Sequence, residues 1–84
     1  MIKILPISPT VESLIKKHSL QKKFTKQLAL LTQNPRHPSL HLEILEPKWR
    51  GIGSFRIDRK YRALCIYRQG NTAMEIISIT VHYR

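Results

Sequence analysis

The sequence predicts an α+β fold, a two-helix hairpin packed on one face of a mainly antiparallel sheet of four to five strands, in the order β-α-α-β-β-β. Three observations lead to it. Two stretches of helical periodicity follow one another in the first half of the chain, near residues 9–18 and 20–32. The second half alternates apolar and polar residues in short runs separated by polar turns. A hydrophobic content of 42% over 84 residues, with 24% charged, suits one small core and hence a single domain over residues 1–84.

Residues 2–7 read as a short opening strand, with Pro6 fitting an edge position or the strand's end because it has no amide to donate. Ser8 then caps a helix and Pro9 takes its first position. Val11, Leu14, Ile15 and His18 recur at the spacing of one helical face, and His18 ends it beside Lys16 and Lys17, a favourable place for cations at a helix C-terminus, in a structural role. The second helix, residues 20–32, carries the stripe Leu20, Phe24, Leu28 and Leu31. Asn34-Pro35 stops it, since the residue before proline is pushed out of the α region. After a loop at residues 36–39, residues 40–46 resume strand character, and a basic connection follows at residues 47–51. Trp49 in that connection is either a cover over the end of the core or a stacking surface for a base. A turn at residues 69–71 leads into the last strand, residues 73–81.

Between these lies a hairpin whose loop length sets the character of the sheet. A two-residue loop of Arg59-Lys60 would send Arg56 and Arg62 to opposite faces. Such loops favour Asn-Gly-like pairs with positive φ, which Arg-Lys is not. A three-residue loop of Asp58-Arg59-Lys60 pairs Ile57 with Tyr61 instead. Phe55, Ile57, Tyr61, Ala63, Cys65 and Tyr67 then share one side, and Arg56 and Arg62 share the other. On that register the sheet has one packed face and one uncovered basic face.

Fifteen Lys and Arg against five Asp and Glu give a net charge of +10. That excess points to a partner with many negative charges, nucleic acid first and an acidic protein second. The lone Cys65 permits no internal disulfide and reads as a core side chain. His18, His37, His41 and His82 lack metal-ligand spacing, so no metal is expected. Without an apolar run of membrane-spanning or signal-peptide type, a cytoplasmic protein is expected, with no membrane partner.

An exposed basic face either binds phosphate or cuts next to it. Cleaving RNA without a metal needs a base for the 2′-hydroxyl, an acid for the leaving oxygen and a cation for the charge on phosphorus. Arg56 and Arg62 are the candidate cations, with Glu43, His82 and Tyr83 as candidates for proton transfer. Lys48, Arg50, Arg59 and Lys60 are candidate phosphate contacts. Lys22, Lys23 and Lys26 lie off the apolar stripe of their helix, as a solvated face or a further contact surface. A purely structural alternative pairs Arg62 with Glu75 on a neighbouring strand and makes Tyr83 an edge packing residue.

The run Ser54-Phe55-Arg56-Ile57 followed by Lys60-Tyr61-Arg62-Ala63-Leu64 resembles the signature of the RelE/ParE superfamily of bacterial type II toxin–antitoxin modules. So do the preceding αα-hairpin ending in Asn34-Pro35-Arg36 and the run from Leu40 to Leu45; the resemblance spans nearly the whole chain. The terminal His82-Tyr83 is most similar to the YoeB- and HigB-like branches. The resemblance implies a RelE-like microbial RNase fold and a metal-independent endonuclease acting on mRNA in the ribosomal A site. It implies an acidic antitoxin encoded alongside and no small-molecule cofactor. By position it implies catalytic roles for Glu43, Arg62, His82 and Tyr83, and a phosphate contact for Arg56. The superfamily also holds ParE-like inhibitors of DNA gyrase that cut nothing, and an RNA-binding remnant without cleavage is a further alternative.

Overall fold

In the computed structural model, which describes residues 2–70 and 72–81, the first helix starts, and both helices stop, where the backbone chemistry asks them to. The first, α1, spans Pro9–Lys17; the Ser8 hydroxyl accepts the Val11 amide at 3.2 Å and Pro9 opens the first turn. His18 closes it as C-cap, and Ser19 in the left-handed region (φ 55°) turns the chain back. The second, α2, spans Gln21–Gln33 and ends at Asn34, as the following Pro35 requires. Val11 and Ile15 from α1, with Leu20, Phe24 and Leu31 from α2 and its entry, enter the core. The predicted stripe includes Leu28, yet Leu28 is only half-buried and Gln27 takes the buried position. Gln27 tolerates burial because its Nε2 donates to the Ser39 carbonyl at 3.2 Å and the Arg56 carbonyl at 2.8 Å.

Five strands form one sheet: β1 Lys3–Ile4, β2 Glu43–Ile44, β3 Ile52–Arg56, β4 Tyr61–Arg68 and β5 Ala73–Val81. Their spatial order is β1-β5-β4-β3-β2, with β1 parallel to β5 and the other neighbours antiparallel. The chain order is therefore β-α-α-β-β-β-β, one strand more than the predicted string. Two strands are shorter than predicted. Residues 2–7 supply only Lys3–Ile4, since Pro6 cannot extend the ladder. Residues 40–46 supply only Glu43–Ile44, because Pro38–Leu40 close a 3-10 turn that buries Leu40 completely.

The β3–β4 hairpin has the predicted register, with Phe55 opposite Ala63 and Arg56 opposite Arg62. The Ile57 amide donates to the Tyr61 carbonyl at 3.0 Å. Asp58 Oδ1 accepts the Lys60 and Tyr61 amides, both at 2.8 Å, which fixes the turn from within. Phe55, Ile57, Ala63 and Cys65 accordingly point into the core beneath the helices.

β5 does something that alternation does not suggest. Ser78 faces Leu64 but Ile76 faces Cys65, so Ile77 is the extra residue of a bulge. Ile79 is buried on one side of the bulge and Ile76 and Met74 on the other, while Ile77 is left 40% exposed. Without the extra residue one half of β5 would turn its apolar side chains to water.

Candidate nucleic-acid interface and active site

The register puts Glu43, Ser54, Arg56, Arg62 and Thr80 on the sheet face that the helices leave uncovered. Alternation alone would leave Arg62 standing open there; it is instead only 5% exposed. Its neighbours explain the burial. Nε donates to Ser54 Oγ at 2.5 Å, and Nη2 donates to the Ser54 carbonyl at 2.9 Å and the His41 carbonyl at 2.6 Å. His41 can reach because it adopts the left-handed region (φ 44°, ψ 49°), which turns its carbonyl onto the guanidinium from the loop before β2. The other terminal nitrogen, Nη1, makes no hydrogen bond among the described residues. Arg62 is thus a cation whose plane is set by the fold. Burial pulls it down from its ordinary value, Glu43 opposes that and Arg56 adds to it; a guanidinium nonetheless keeps its charge at any neutral pH.

Glu43 is exposed on β2 directly opposite Ser54, the residue that holds Arg62. Its charge acts on Arg62, yet among the described residues it forms no ion pair. The Glu75 alternative for Arg62 does not occur: Glu75 faces Ile66 and binds Arg68 Nε at 3.1 Å.

Beside this face, a cleft of about 370 Å³ opens between α2 and the β3–β4 turn. Lys23, Lys26, Arg56 and Arg59 line it, with Gln27 and Ser39. One carboxylate, Asp58, shares it and pairs with Lys23 Nζ at 3.2 Å. Burial pushes the Asp58 carboxyl up, but the Tyr61 and Lys60 amides and the Lys23 ammonium outweigh it and hold it below the usual carboxylate range. The cleft is therefore strongly cationic and suited to a phosphate.

The remaining candidates divide. Lys60 is exposed at the turn, with its ammonium 5.4 Å from the Tyr61 ring. Lys22 is exposed on α2 but does not line the cleft. Lys48 and Arg50 sit at the other end of β3, so no single patch gathers all the predicted cations. Trp49 covers no core, since it is 83% exposed. His82 and Tyr83 lie outside the described residues; β5 carries the chain to Val81, opposite Tyr61 and one position from Arg62. Sequence reasoning missed Ser54, the His41 carbonyl and Gln27. Only Gln27 left a signal, a polar residue on the buried arc between Phe24 and Leu31.

The Cys65 thiol is fully buried, and burial raises it to about 11, against the weaker effect of a Gly53 backbone hydrogen bond. It is a core side chain, not a nucleophile. His18 is structural as expected, with a contact the sequence did not reveal: its Nδ1 lies 3.0 Å from the Tyr61 hydroxyl and the rings are 4.7 Å apart.

No family model matches the chain, and no curated protein sequence matches it. Solved structures do. A copper-bound mutant toxin from Helicobacter pylori superposes with a TM-score of 0.72 at 14% identity, over 98% of this chain and 96% of that one. YoeB from Staphylococcus aureus, in a heterotetrameric YoeB–YefM toxin–antitoxin complex, gives 0.69 at 21% identity, over 99% of each chain. YafQ from the E. coli DinJ–YafQ complex gives 0.69 at 15% identity, over 98% and 92%. At these identities the likeness is one of fold: two helices on a five-stranded mixed sheet, the arrangement that the RelE/ParE resemblance implied.

Proposed function

We propose that the protein is the toxin of a type II toxin–antitoxin module and acts as a metal-independent, ribosome-dependent mRNA endonuclease. One observation carries the chemistry: Arg62 is held by three hydrogen bonds on the uncovered face, close enough to Glu43 for their charges to interact. A cation fixed before the substrate arrives needs no reorganisation when charge develops on a phosphate. The fold, shared with toxins solved beside their antitoxins, supports an antitoxin protein as the physiological restraint, and the net charge of +10 favours an acidic one.

In the proposed reaction, Glu43 or His82 takes the proton of a 2′-hydroxyl as that oxygen bonds to phosphorus. The bond from phosphorus to the 5′-oxygen breaks, and the other group protonates the departing oxygen. The products are a 2′,3′-cyclic phosphate and a free 5′-hydroxyl. Arg62 stabilises the phosphorane-like charge, Arg56 and the neighbouring cationic cleft hold the flanking backbone, and Tyr83 positions the hydroxyl or stacks on a base. The message is presented by the ribosome.

The test is single-turnover cleavage of a ribosome-bound message by Arg62→Lys, Glu43→Gln and Arg59→Ala. Arg62→Lys keeps the charge and loses the forked geometry, and its rate should fall on the order of 10²–10³-fold. Glu43→Gln changes an exposed side chain and should slow cleavage without altering melting, whereas Arg59→Ala should change the rate far less. Wild-type rates for both Arg62→Lys and Glu43→Gln would remove the two residues from the active site, and no cleavage of the ribosome-bound message by the parent protein would remove the endonuclease reading. Intact transcripts with double-strand DNA breaks in cells making the protein would replace it with gyrase inhibition.

A further inference from the structure

Trp49 is the chain's only tryptophan and, at 83% exposure, far the most exposed of its large hydrophobic side chains among the described residues. Leaving an indole in water forgoes a large hydrophobic gain, so its position calls for a reason. The backbone beneath it is clamped. Lys48–Arg50 form a 3-10 turn in which the Arg50 amide donates to the Pro47 carbonyl at 3.1 Å and the Gly51 amide to the Lys48 carbonyl at 3.0 Å. Gly51, in the left-handed region (φ 68°), ends the turn, and its carbonyl accepts the Tyr67 amide of β4 at 2.9 Å. The Arg50 guanidinium lies 5.8 Å from the indole centroid, and a second cation, Lys48, precedes the ring.

We propose that Trp49 is a stacking platform for one unpaired base of a single-stranded nucleic acid, with Lys48 and Arg50 meeting the phosphates on either side of that base. The proposal rests on the reading of the partner as RNA but not on cleavage. A flat ring held out on a fixed turn and flanked by two cations matches the combination that single-stranded nucleic acid offers: a π-face and a charge at every residue. β3 begins at Ile52, just past the turn, and Arg56 lies four residues, or about 13 Å, further along the strand. A strand running along β3 therefore meets Trp49 and the Arg56 end within the roughly 4–16 nucleotides usual for such grooves.

Because Trp49 is the only tryptophan, its fluorescence reports this contact alone. The probe is an oligodeoxyuridylate of about 10 nucleotides, which offers bases and phosphates but no 2′-hydroxyl to cut. It should quench the emission of the full chain, while inorganic polyphosphate of matched charge should bind without equal quenching. Trp49→Ala should weaken the oligomer about 5- to 150-fold, the range for removal of one stacked base, with melting unchanged and Trp49→Tyr recovering most of the affinity. Binding without quenching, equal quenching by polyphosphate, or wild-type affinity in Trp49→Ala would each overturn the proposal; the last would hold even if Trp49→Ala failed to bind an acidic protein. Quenching that survives in a protein unable to cleave ribosome-bound RNA removes only the nuclease reading. Cleavage in a protein whose Trp49 is never quenched removes only the platform.

Discussion

Arg62 shows how far a single position can be read from sequence. Its side of the sheet follows from the loop length, because period-two alternation leaves only two choices. Its burial does not follow, since Ser54 and a carbonyl turned by the left-handed His41 are contacts made by folding. The same bonds carry a cost for removing it. Arg62→Ala leaves Ser54 and His41 acceptors without a donor and should destabilise the protein by about 1–3 kcal/mol. For a chain of this size that lowers the melting temperature by roughly 4–8 °C per kcal/mol. Calorimetry checks it, and an unchanged melt would mean that water replaces the guanidinium without penalty. Cys65 is legible in the sequence because its neighbours in the strand already place it inward. With its thiol at about 11 and no exposure, it should react with an alkylating reagent only as fast as the protein opens. Reaction at the rate of a free thiol would contradict that.

At the scale of elements, α1, α2 and the β3–β4 hairpin are legible because each has a local cause: a cap, a proline, an Asp-led turn. β1 and β2 are legible as strands at residues 2–7 and 40–46 but not in their bounds, and the β5 bulge is not legible at all. A two-residue pairing has no periodicity that would set its ends, and a bulge is chosen by which face must be buried rather than by any turn residue. Asp58 is the local cause easiest to test. The folded protein favours its carboxylate, so the stability it supplies is complete above the unfolded value of 3.8 and is lost as the pH falls through the lowered folded value. Asp58→Ala should therefore cost about 1–3 kcal/mol at neutral pH, with a shallower loss of stability below about pH 4 than the parent shows. Acid titrations of both proteins followed by circular dichroism make the comparison. Parallel curves would assign the turn's stability to other interactions.

Over the whole molecule, the charge of +10 predicts an anionic partner without saying where it binds. The fold makes that specific, with one cationic cleft between α2 and the β3–β4 turn and a second pair of cations around Trp49. Salt should expose the difference between a lysine in the cleft and one beside it. Affinity for single-stranded RNA should fall with rising salt, and Lys23→Ala with Lys26→Ala should flatten that dependence by up to about 0.7 for each phosphate no longer neutralised. Lys22→Ala, outside the cleft, should leave the slope alone. Titrations across a salt series decide it, and equal flattening by Lys22→Ala would mean that only the total charge matters.

The position of β5 has a further consequence. It lies between β1 and β4, and α1 packs on it, so segments from both halves of the chain depend on residues 73–81. Protein synthesis supplies those residues after all the others in the sheet. While the ribosome is still making it, the chain can have two helices and a hairpin but not the support beneath them. A message broken before the codons for this strand would yield a product in which β4, the strand that carries Arg62, has lost its neighbour on one side and α1 has lost the strand it packs on. On the proposed toxin reading, a cell translating such a fragment should grow like one that makes none of the protein.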